Sequence, residues 1–159
     1  MIEVAIALGS NLGNRAAHLD WAVARLRGLV DGLIVSDYIE TAPVGVPADL
    51  SQRDFINAVV VGSTALPPRE LLDALLALEA ERGRVREREG EPRPLDLDLI
   101  LYGTLAIDEP GLVVPHPRFR ERAFVLTPLA AIAGSWVDPV TGTSLRDLAG
   151  ALNKKGPAA

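Results

Sequence analysis

The 159-residue sequence has no cysteine, only two lysines and two histidines, and no long apolar run. Without cysteine, disulfides and thiolate metal sites are excluded. The two histidines, His18 and His116, lack the spacing of metal ligands, which argues against zinc. No segment approaches the roughly 20 apolar residues of a membrane span, and the N-terminus MIEVAIALGSN does not resemble a signal peptide. We therefore expect a cytoplasmic protein with no membrane partner.

The sequence also lacks an excess of positive charge. Its formal net charge is −5, which argues against a general nucleic-acid partner because no surplus of basic residues exists to neutralise phosphates. The arginines nevertheless concentrate in two segments. These are Arg82, Arg84, Arg86, Arg88 and Arg93 in the first, and Arg118, Arg120 and Arg122 in the second. Local binding of an anion therefore stays open.

The length and the 48% hydrophobic content correspond to one compact domain. No repeat or linker is visible, so we expect a single domain over residues 1–153 and a disordered tail over residues 154–159.

The apolar patterning predicts alternating strands and helices. The expected core elements are a strand at 2–8, a helix at 15–30, strands at 33–40 and 55–62, a helix between Pro67 and Gly83, and a strand within 92–103. This βαββαβ order is typical of a ferredoxin-like α+β sandwich. A rigid turn at 113–118, a short helix within 122–134 and a small hairpin and helix at 136–152 are expected after the core elements.

Two aspartates interrupt the apolar alternation of the last core strand. Leu95, Leu97, Leu99 and Leu101 alternate, and Asp96 and Asp98 lie between the first three of them, on the opposite face. One interpretation is a solvated strand face. The other is a platform for Mg²⁺, which prefers one or two carboxylates together with water and substrate phosphates. Arg93, immediately before the strand, favours the second because arginine pairs well with phosphate.

Other segments are ambiguous when taken singly. GSNLGN at 9–14 indicates either an anion cradle or a simple turn capped by Asn14. The arginine-rich segment at 84–94 indicates either a self-paired surface loop or a cover for an anionic substrate. His116 lies between two prolines and is either aimed at a ligand or satisfied within its turn, whereas His18 is expected on the surface.

A pocket for a flat heterocycle is also suggested on the third strand. Phe55 and Asn57 share a face there, and an asparagine offers both a donor and an acceptor to a planar ring. Thr41 and the main chain of residues 41–45 could complete the pocket.

Taken in order, the motifs GSNLGNR, TAPVG, FINA, GRVR, PRPLDLDLILYG and VPHPR resemble the 6-hydroxymethyl-7,8-dihydropterin pyrophosphokinases of the folate pathway. The resemblance spans roughly residues 2–130. It implies transfer of a diphosphate from ATP to the pterin hydroxymethyl group, with two Mg²⁺ ions as cofactors. It also implies ATP and the pterin as partners. We further expect a monomer that binds no nucleic acid.

The resemblance assigns roles to individual residues. The implied metal ligands are Asp96 and Asp98, which with Arg84 and Arg93 would also act in catalysis. The implied pterin-binding residues are Thr41, Pro43, Val44, Gly45, Phe55, Asn57 and Phe124. The implied ATP-binding residues are Leu72, Glu79, Arg86, Arg93, His116 and Arg122.

One segment departs from the family pattern. Gly90-Glu91 stands where the family commonly has an aromatic residue followed by glycine, so the aromatic that covers the pterin is absent.

Two other classes of function also stay open. One is a ligand-binding module without catalysis, because this fold serves many functions. The other is a different Mg²⁺-dependent phosphotransferase or nuclease.

Overall fold

The computed structural model describes residues 1–42, 53–83 and 94–155. The strands are β1 (Ile2–Ser10), β2 (Asp31–Val35), β3 (Ile39–Thr41), β4 (Phe55–Thr64), β5 (Asp96–Tyr102), β6 (Ile107–Glu109) and β7 (Leu112–Val114). The α-helices are α1 (Arg15–Leu26), α2 (Pro68–Glu81), α3 (Ala123–Ala133) and α4 (Leu145–Lys154), and one 3-10 turn covers Phe119–Glu121.

The main sheet is antiparallel and has the order β2-β4-β1-β5. β3 pairs with the same edge of β4 as β2 does, further along the strand. Strands β1 and β4 are therefore central and β5 forms one edge. This arrangement confirms the expected βαββαβ topology.

Helices cover both faces of the sheet. Val4, Ile6 and Leu8 of β1 belong to the core shared with α1 and α2, whereas Ala5 and Ala7 belong to a second core formed with α3 and α4. The alternation along β1 thus assigns odd and even positions to different helical layers. The C-terminal helices, expected only as a small extension, supply the whole second layer in the described part of the chain.

The expected strand at 33–40 is divided into β2 and β3 around Ser36. The Ser36 hydroxyl accepts a hydrogen bond from the Val59 amide at 2.8 Å, while the Ser36 amide donates to the Val59 carbonyl at 2.9 Å. A side chain therefore replaces one of the main-chain partners at this point. The pairing resumes at Ile39 opposite Asn57, with one extra residue on the edge strand, as in a β-bulge.

The prediction that Leu101 shares a face with the earlier leucines of β5 is wrong. Leu95, Leu97 and Leu99 pack in the α1/α2 core, but Leu101 packs in the α3/α4 core. The pairing with β1 shifts between Ala5 opposite Leu101 and Ile6 opposite Leu99. This bulge places one extra residue in β5, so the side chains after it point to the opposite face of the sheet.

Several boundaries also differ from the sequence-based expectations. Helix α1 ends at Leu26 rather than near residue 30. The first two residues of the segment expected as a rigid turn, Val113 and Val114, belong to a short β6–β7 hairpin. The expected C-terminal hairpin is a single bridge between Val137 and Ser144. Helix α4 runs through Lys154, the first residue of the expected tail, and residues 156–159 lie outside the described ranges.

Candidate active site

The candidate site is built on one row of residues that crosses the sheet. Asp96 of β5 pairs with Gly9 of β1, Gly9 pairs with Asn57 of β4, and Asn57 pairs with Ile39 of β3. Because neighbouring strands lie roughly 4.8 Å apart, the backbones of Asp96 and Asn57 are separated by about 10 Å. The row thus connects the acid pair to the residues expected to bind a heterocycle.

Asp96 and Asp98 point to the α3/α4 side of the sheet and are partly buried. Leu97, between them, is buried in the core on the opposite side. Asp98 lies beside Ala7 of β1, one step along the strand from Asp96 beside Gly9. The two carboxylates consequently share a surface lined by the smallest side chains of β1.

Asn57 lies on the same surface and is held in a defined orientation. The residue is 6% exposed, and its Nδ2 donates to Thr41 Oγ1 at 2.6 Å. Because the amide nitrogen is directed towards Thr41, the amide oxygen Oδ1 is directed towards Gly9. The structure therefore brings together Thr41 and Asn57 as the sequence suggested.

Phe55 and Phe124 lie on the same side of the sheet. Phe55 is half-buried and its ring lies beside the Gly9 backbone. Phe124, in the first turn of α3, packs against the α3/α4 core, and the Arg122 guanidinium carbon lies 5.8 Å from the centre of its ring. The other expected pterin contacts, Pro43, Val44 and Gly45, lie outside the described residues.

Glu79 approaches the acid pair from the opposite helical layer. It belongs to α2, is only 3% exposed, and its Oε2 accepts a hydrogen bond from the Leu97 amide at 2.8 Å. Because β5 is an edge strand among the described residues, this carboxylate satisfies an amide that no described strand of the sheet pairs with. Leu72, on the same helix, is half-buried against the α1/α2 core.

His116 is attached to the same edge of β5. Its amide donates to the Ile100 carbonyl at 2.9 Å, and its Nδ1 accepts from the Arg118 amide at 3.1 Å. Burial, followed by the positive charges of Arg122 and Arg118, lowers the pKa of His116 to about 4. At neutral pH the ring is therefore uncharged, and its proton is on Nε2.

His18, expected on the surface, is partly exposed but also has a specific side-chain partner. It is half-buried, and its Nδ1 accepts a hydrogen bond from Arg82 Nε at 2.8 Å. Burial and the Arg82 charge lower the pKa of His18, against a hydrogen bond with the Leu12 main chain that raises it. Arg82 also lies over Trp21, 5.0 Å from the ring centre. The next candidate residues along the chain, Arg84, Arg86 and Arg93, and the departing pair Gly90-Glu91, lie outside the described residues.

Asn14, the last residue of the GSNLGN segment, caps α1, and Arg15 after it supports the start of β4. Asn14 Oδ1 accepts from the Ala17 amide at 3.1 Å and caps α1. Arg15 Nη1 donates both to Glu40 Oε1 at 3.0 Å and to the Asp54 carbonyl at 2.8 Å. Glu40 and Asp54 directly precede Thr41 and Phe55 in the chain. Arg15 therefore joins the two strands that carry these candidate residues, a role that the sequence did not reveal because it depends on strand pairing.

Comparison with known proteins identifies the family. The family model of 7,8-dihydro-6-hydroxymethylpterin-pyrophosphokinase (HPPK) matches residues 5–134. The chain belongs to the HPPK family. Its similarity to a pyrophosphokinase of Methylorubrum extorquens is 40% identity over 159 residues, covering 98% of this chain and 97% of the relative. A pyrophosphokinase of Synechocystis is 42% identical over 146 residues, covering 90% of this chain and 72% of the relative.

The HPPK assignment confirms the expectation of an enzyme of the diphosphotransferase class in folate biosynthesis. An Arabidopsis thaliana relative named a folate synthesis bifunctional protein is 44% identical over 148 residues. This chain covers only 26% of that relative, although the match includes 92% of this chain. The similarity to the bifunctional relative therefore concerns one part of it.

Solved structures confirm the fold of this HPPK family member. An HPPK-DHPS structure in complex with substrates matches 97% of this chain and 44% of its own, with a TM-score of 0.78 at 12% identity. A wild-type Plasmodium falciparum HPPK-DHPS structure matches the same shares with a TM-score of 0.72 at 14% identity. At these identities the likeness shows the ferredoxin-like fold alone.

Two further observations concern metals and membranes. Within residues 1–42, 53–83 and 94–155, no group of three or more histidine, aspartate or glutamate side chains is arranged to hold a metal ion by itself. Two carboxylates are nevertheless a suitable donor set for Mg²⁺, which takes its remaining ligands from water and substrate phosphates.

Among the helices of the described ranges, none has the length and apolar character needed to cross a bilayer.

Proposed function

We propose that the protein transfers the β,γ-diphosphate of ATP to the hydroxymethyl group of 6-hydroxymethyl-7,8-dihydropterin. The observation that carries the proposal is the row Asp96–Gly9–Asn57, which places the acid pair and an oriented amide on one face of the sheet. A ring held at the Asn57 end would direct its hydroxymethyl group towards the carboxylates. The HPPK family membership supports this assignment of the two ends.

At the pterin end, Thr41 fixes which atoms of Asn57 meet the ligand. Because Asn57 Nδ2 donates to Thr41 Oγ1 at 2.6 Å, the amide oxygen is the atom directed to the sheet surface beside Gly9. It would accept a hydrogen bond from an amino or ring N–H group of the pterin. Phe55 and Phe124 would contact the faces of the ring, as the resemblance implies.

At the acid end, Asp96 and Asp98 would hold the two Mg²⁺ ions. When bound, such ions neutralise phosphate charge and make the phosphorus a better electrophile. The half-buried setting of the two carboxylates suits this role, because a bound cation offsets the repulsion between neighbouring negative charges.

At the nucleotide end, the residues at the edge of β5 would position ATP. Glu79, Leu72 and His116 come from segments that meet this edge, and Arg122 is two residues before Phe124. The neutral His116 ring would donate a hydrogen bond through Nε2. We assign Arg86 to ATP as well, and Arg84 and Arg93 to charge stabilisation during transfer, on the strength of the family resemblance.

In the proposed step, the hydroxymethyl oxygen forms a bond to the β-phosphorus of ATP. The bond between that phosphorus and the oxygen bridging it to the α-phosphate breaks, AMP leaves, and the hydroxyl proton passes to water. The protein contributes mainly positioning and electrostatic stabilisation, so no covalent intermediate with a side chain is required.

The test is to incubate the protein with ATP, Mg²⁺ and the reduced pterin and to identify the nucleotide product. AMP with pterin diphosphate is expected. ADP would indicate an ordinary kinase, and pterin binding without turnover would indicate a binding module. Asp98→Ala should reduce AMP formation by orders of magnitude, whereas Asp31→Asn, at the exposed end of β2, is the matched control and should not.

The remaining expectations stay predictions. We expect the protein to be a cytoplasmic monomer with a single domain over residues 1–153. We expect it to bind ATP and the pterin and not to bind nucleic acid. Light scattering coupled to gel filtration, with and without ATP, would test the oligomeric state.

A further inference from the structure

We propose that Gly9 is a positioning residue of the pterin pocket, because the absence of a side chain there leaves room for the Asn57 amide and for a flat ring. The inference rests on the proposed function and extends it to a residue that offers no side-chain group to a ligand. The role of Gly9 is to position Asn57 and to leave the sheet surface open between Asn57 and the acid pair.

The space beside Gly9 is too small for a side chain unless a neighbouring atom moves. A Cβ atom built on Gly9 would lie 2.9 Å from Asn57 Oδ1, and 3.4 and 3.8 Å from two carbons of the Phe55 ring. The first distance is shorter than carbon and oxygen atoms tolerate without a shift. The atom that a side chain would displace therefore belongs to Asn57, whereas the two Phe55 carbons lie at ordinary contact distance.

The backbone does not explain the glycine. Gly9 is not among the glycines with positive φ, whereas Gly13 has φ 69° and is conformationally required. An alanine could adopt the extended backbone of Gly9, and a glycine inside a strand weakens it. A glycine in a strand interior often marks a place where another group must approach the backbone closely.

A comparison with Gly62 of β4 separates this role from ordinary packing. A Cβ on Gly62 would lie 2.5 Å from a Val30 methyl and 2.6 Å from the Asp31 carbonyl oxygen, so that glycine is required by the packing of the β2 edge. At Gly9 the neighbouring atoms are instead the polar end of Asn57 and the edge of an aromatic ring, on the surface that carries Asp96.

The Asn57 amide cannot move away from a new side chain without loss. Its Nδ2 is bound to Thr41 Oγ1 at 2.6 Å, and the residue is 6% exposed. A Cβ on Gly9 would therefore either stretch the bond to Thr41 or turn Oδ1 away from the ligand. In both cases the acceptor that would read the N–H edge of the pterin is misplaced, while the acid pair on β5 is unchanged.

The test is Gly9→Ala, measured by the dissociation constants for the pterin and for ATP with Mg²⁺. We expect roughly tenfold weaker pterin binding, the loss of about one hydrogen bond, with ATP binding unchanged. Gly150→Ala on α4, where a Cβ meets nothing within 4 Å, is the matched control. Equal pterin affinity in Gly9→Ala and wild type, or a parallel fall in ATP affinity, would overturn the inference.

Two further measurements separate positioning from general damage. The side-chain amide signals of Asn57 in the NMR spectrum of the ligand-free protein should shift in Gly9→Ala, and unchanged signals would refute the displacement. In an Asn57→Ala background, Gly9→Ala should weaken pterin binding by no more than about twofold, because the group it displaces is gone. A full tenfold effect there would show that Gly9 does not act through Asn57.

Failure of the proposed function and failure of the Gly9 inference would give different results. If the wild-type protein forms no AMP from ATP and the pterin, the proposed function fails. If the wild type forms AMP and Gly9→Ala binds the pterin normally, only the role of Gly9 fails.

Discussion

Replacing Glu79 by alanine tests whether the edge of β5 holds the acid pair in place. Glu79 is 3% exposed and accepts the Leu97 amide hydrogen bond at 2.8 Å. Loss of this acceptor leaves a main-chain donor unsatisfied beside a helix, which costs about 1–3 kcal/mol. Removal of the buried Cγ methylene group adds about 1 kcal/mol. We therefore expect a decrease of about 2–4 kcal/mol in the free energy of unfolding.

The functional consequence of Glu79→Ala depends on the neighbours of Leu97. Asp96 and Asp98 flank it on β5, so a displaced strand edge misplaces both carboxylates. Displacements of this kind cost up to about 100-fold in turnover. Urea unfolding gives the stability, and the rate of AMP formation gives the turnover. Glu79→Gln, which keeps an acceptor oxygen of the same reach, should recover most of the lost stability.

The matched control is Asp73→Ala, an exposed acid on the same helix, which should alter stability by less than about 0.5 kcal/mol. An unfolding midpoint and a turnover in Glu79→Ala equal to those of the control would refute the reasoning. Loss of turnover at unchanged stability would show that Glu79 acts through the ATP contact proposed for it and not by holding the edge of β5.

Three other changes have defined outcomes. Arg15→Ala removes the bonds to Glu40 and the Asp54 carbonyl, so the KM for the pterin should rise by up to about tenfold at constant KM for ATP; an equal rise in both would contradict this. Burial raises the pKa of Asp138, but hydrogen bonds led by Arg120 outweigh it, and the net pKa is lowered. The stability that Asp138 contributes is therefore complete above its unfolded pKa of about 3.9 and is lost as the pH falls through the folded pKa. Asp138→Asn should lower the free energy of unfolding by about 3 kcal/mol at pH 7. The difference from wild type, measured by urea unfolding, should become progressively smaller below about pH 4. A difference that stays constant with pH would exclude the ion pair as the cause. Gly90→Trp should tighten pterin binding in a fluorescence titration, and unchanged binding and turnover would remove the idea that an aromatic is missing there.

The Asp138 prediction depends on contacts that link the segment before α4 to the 3-10 turn before α3. Asp138 is fully buried, and its carboxylate accepts hydrogen bonds from Arg120 Nη2 at 2.8 Å, from Arg120 Nε, and from the Thr141 hydroxyl at 2.8 Å. Arg120 lies in the 3-10 turn that leads into α3. The pair therefore supports the segment from which Arg122 and Phe124 extend.

Local patterns in the sequence determined the element order and the face of most side chains. Asp96 and Asp98 oppose Leu95, Leu97 and Leu99 because the two-residue period of a strand is a property of the chain itself. Asn14 caps α1 for an equally local reason, since its side chain reaches the amide three residues later. The ordered motifs were sufficient to indicate the family.

Tertiary structure decided what depends on pairing between distant segments. The register shift that turns Leu101 to the other core arises between β1 and β5, and the closeness of Gly9 to Asn57 arises between β1 and β4. Neither can be read from the period of one strand, because a bulge or a cross-strand contact is set by the partner. The roles assigned to all the candidate site residues remain predictions, and Pro43, Val44, Gly45, Arg84, Arg86 and Arg93 also lie outside the described residues. The sequence by itself thus determined which polar and charged side chains are available, and strand pairing in the sheet decided which of them lie next to each other.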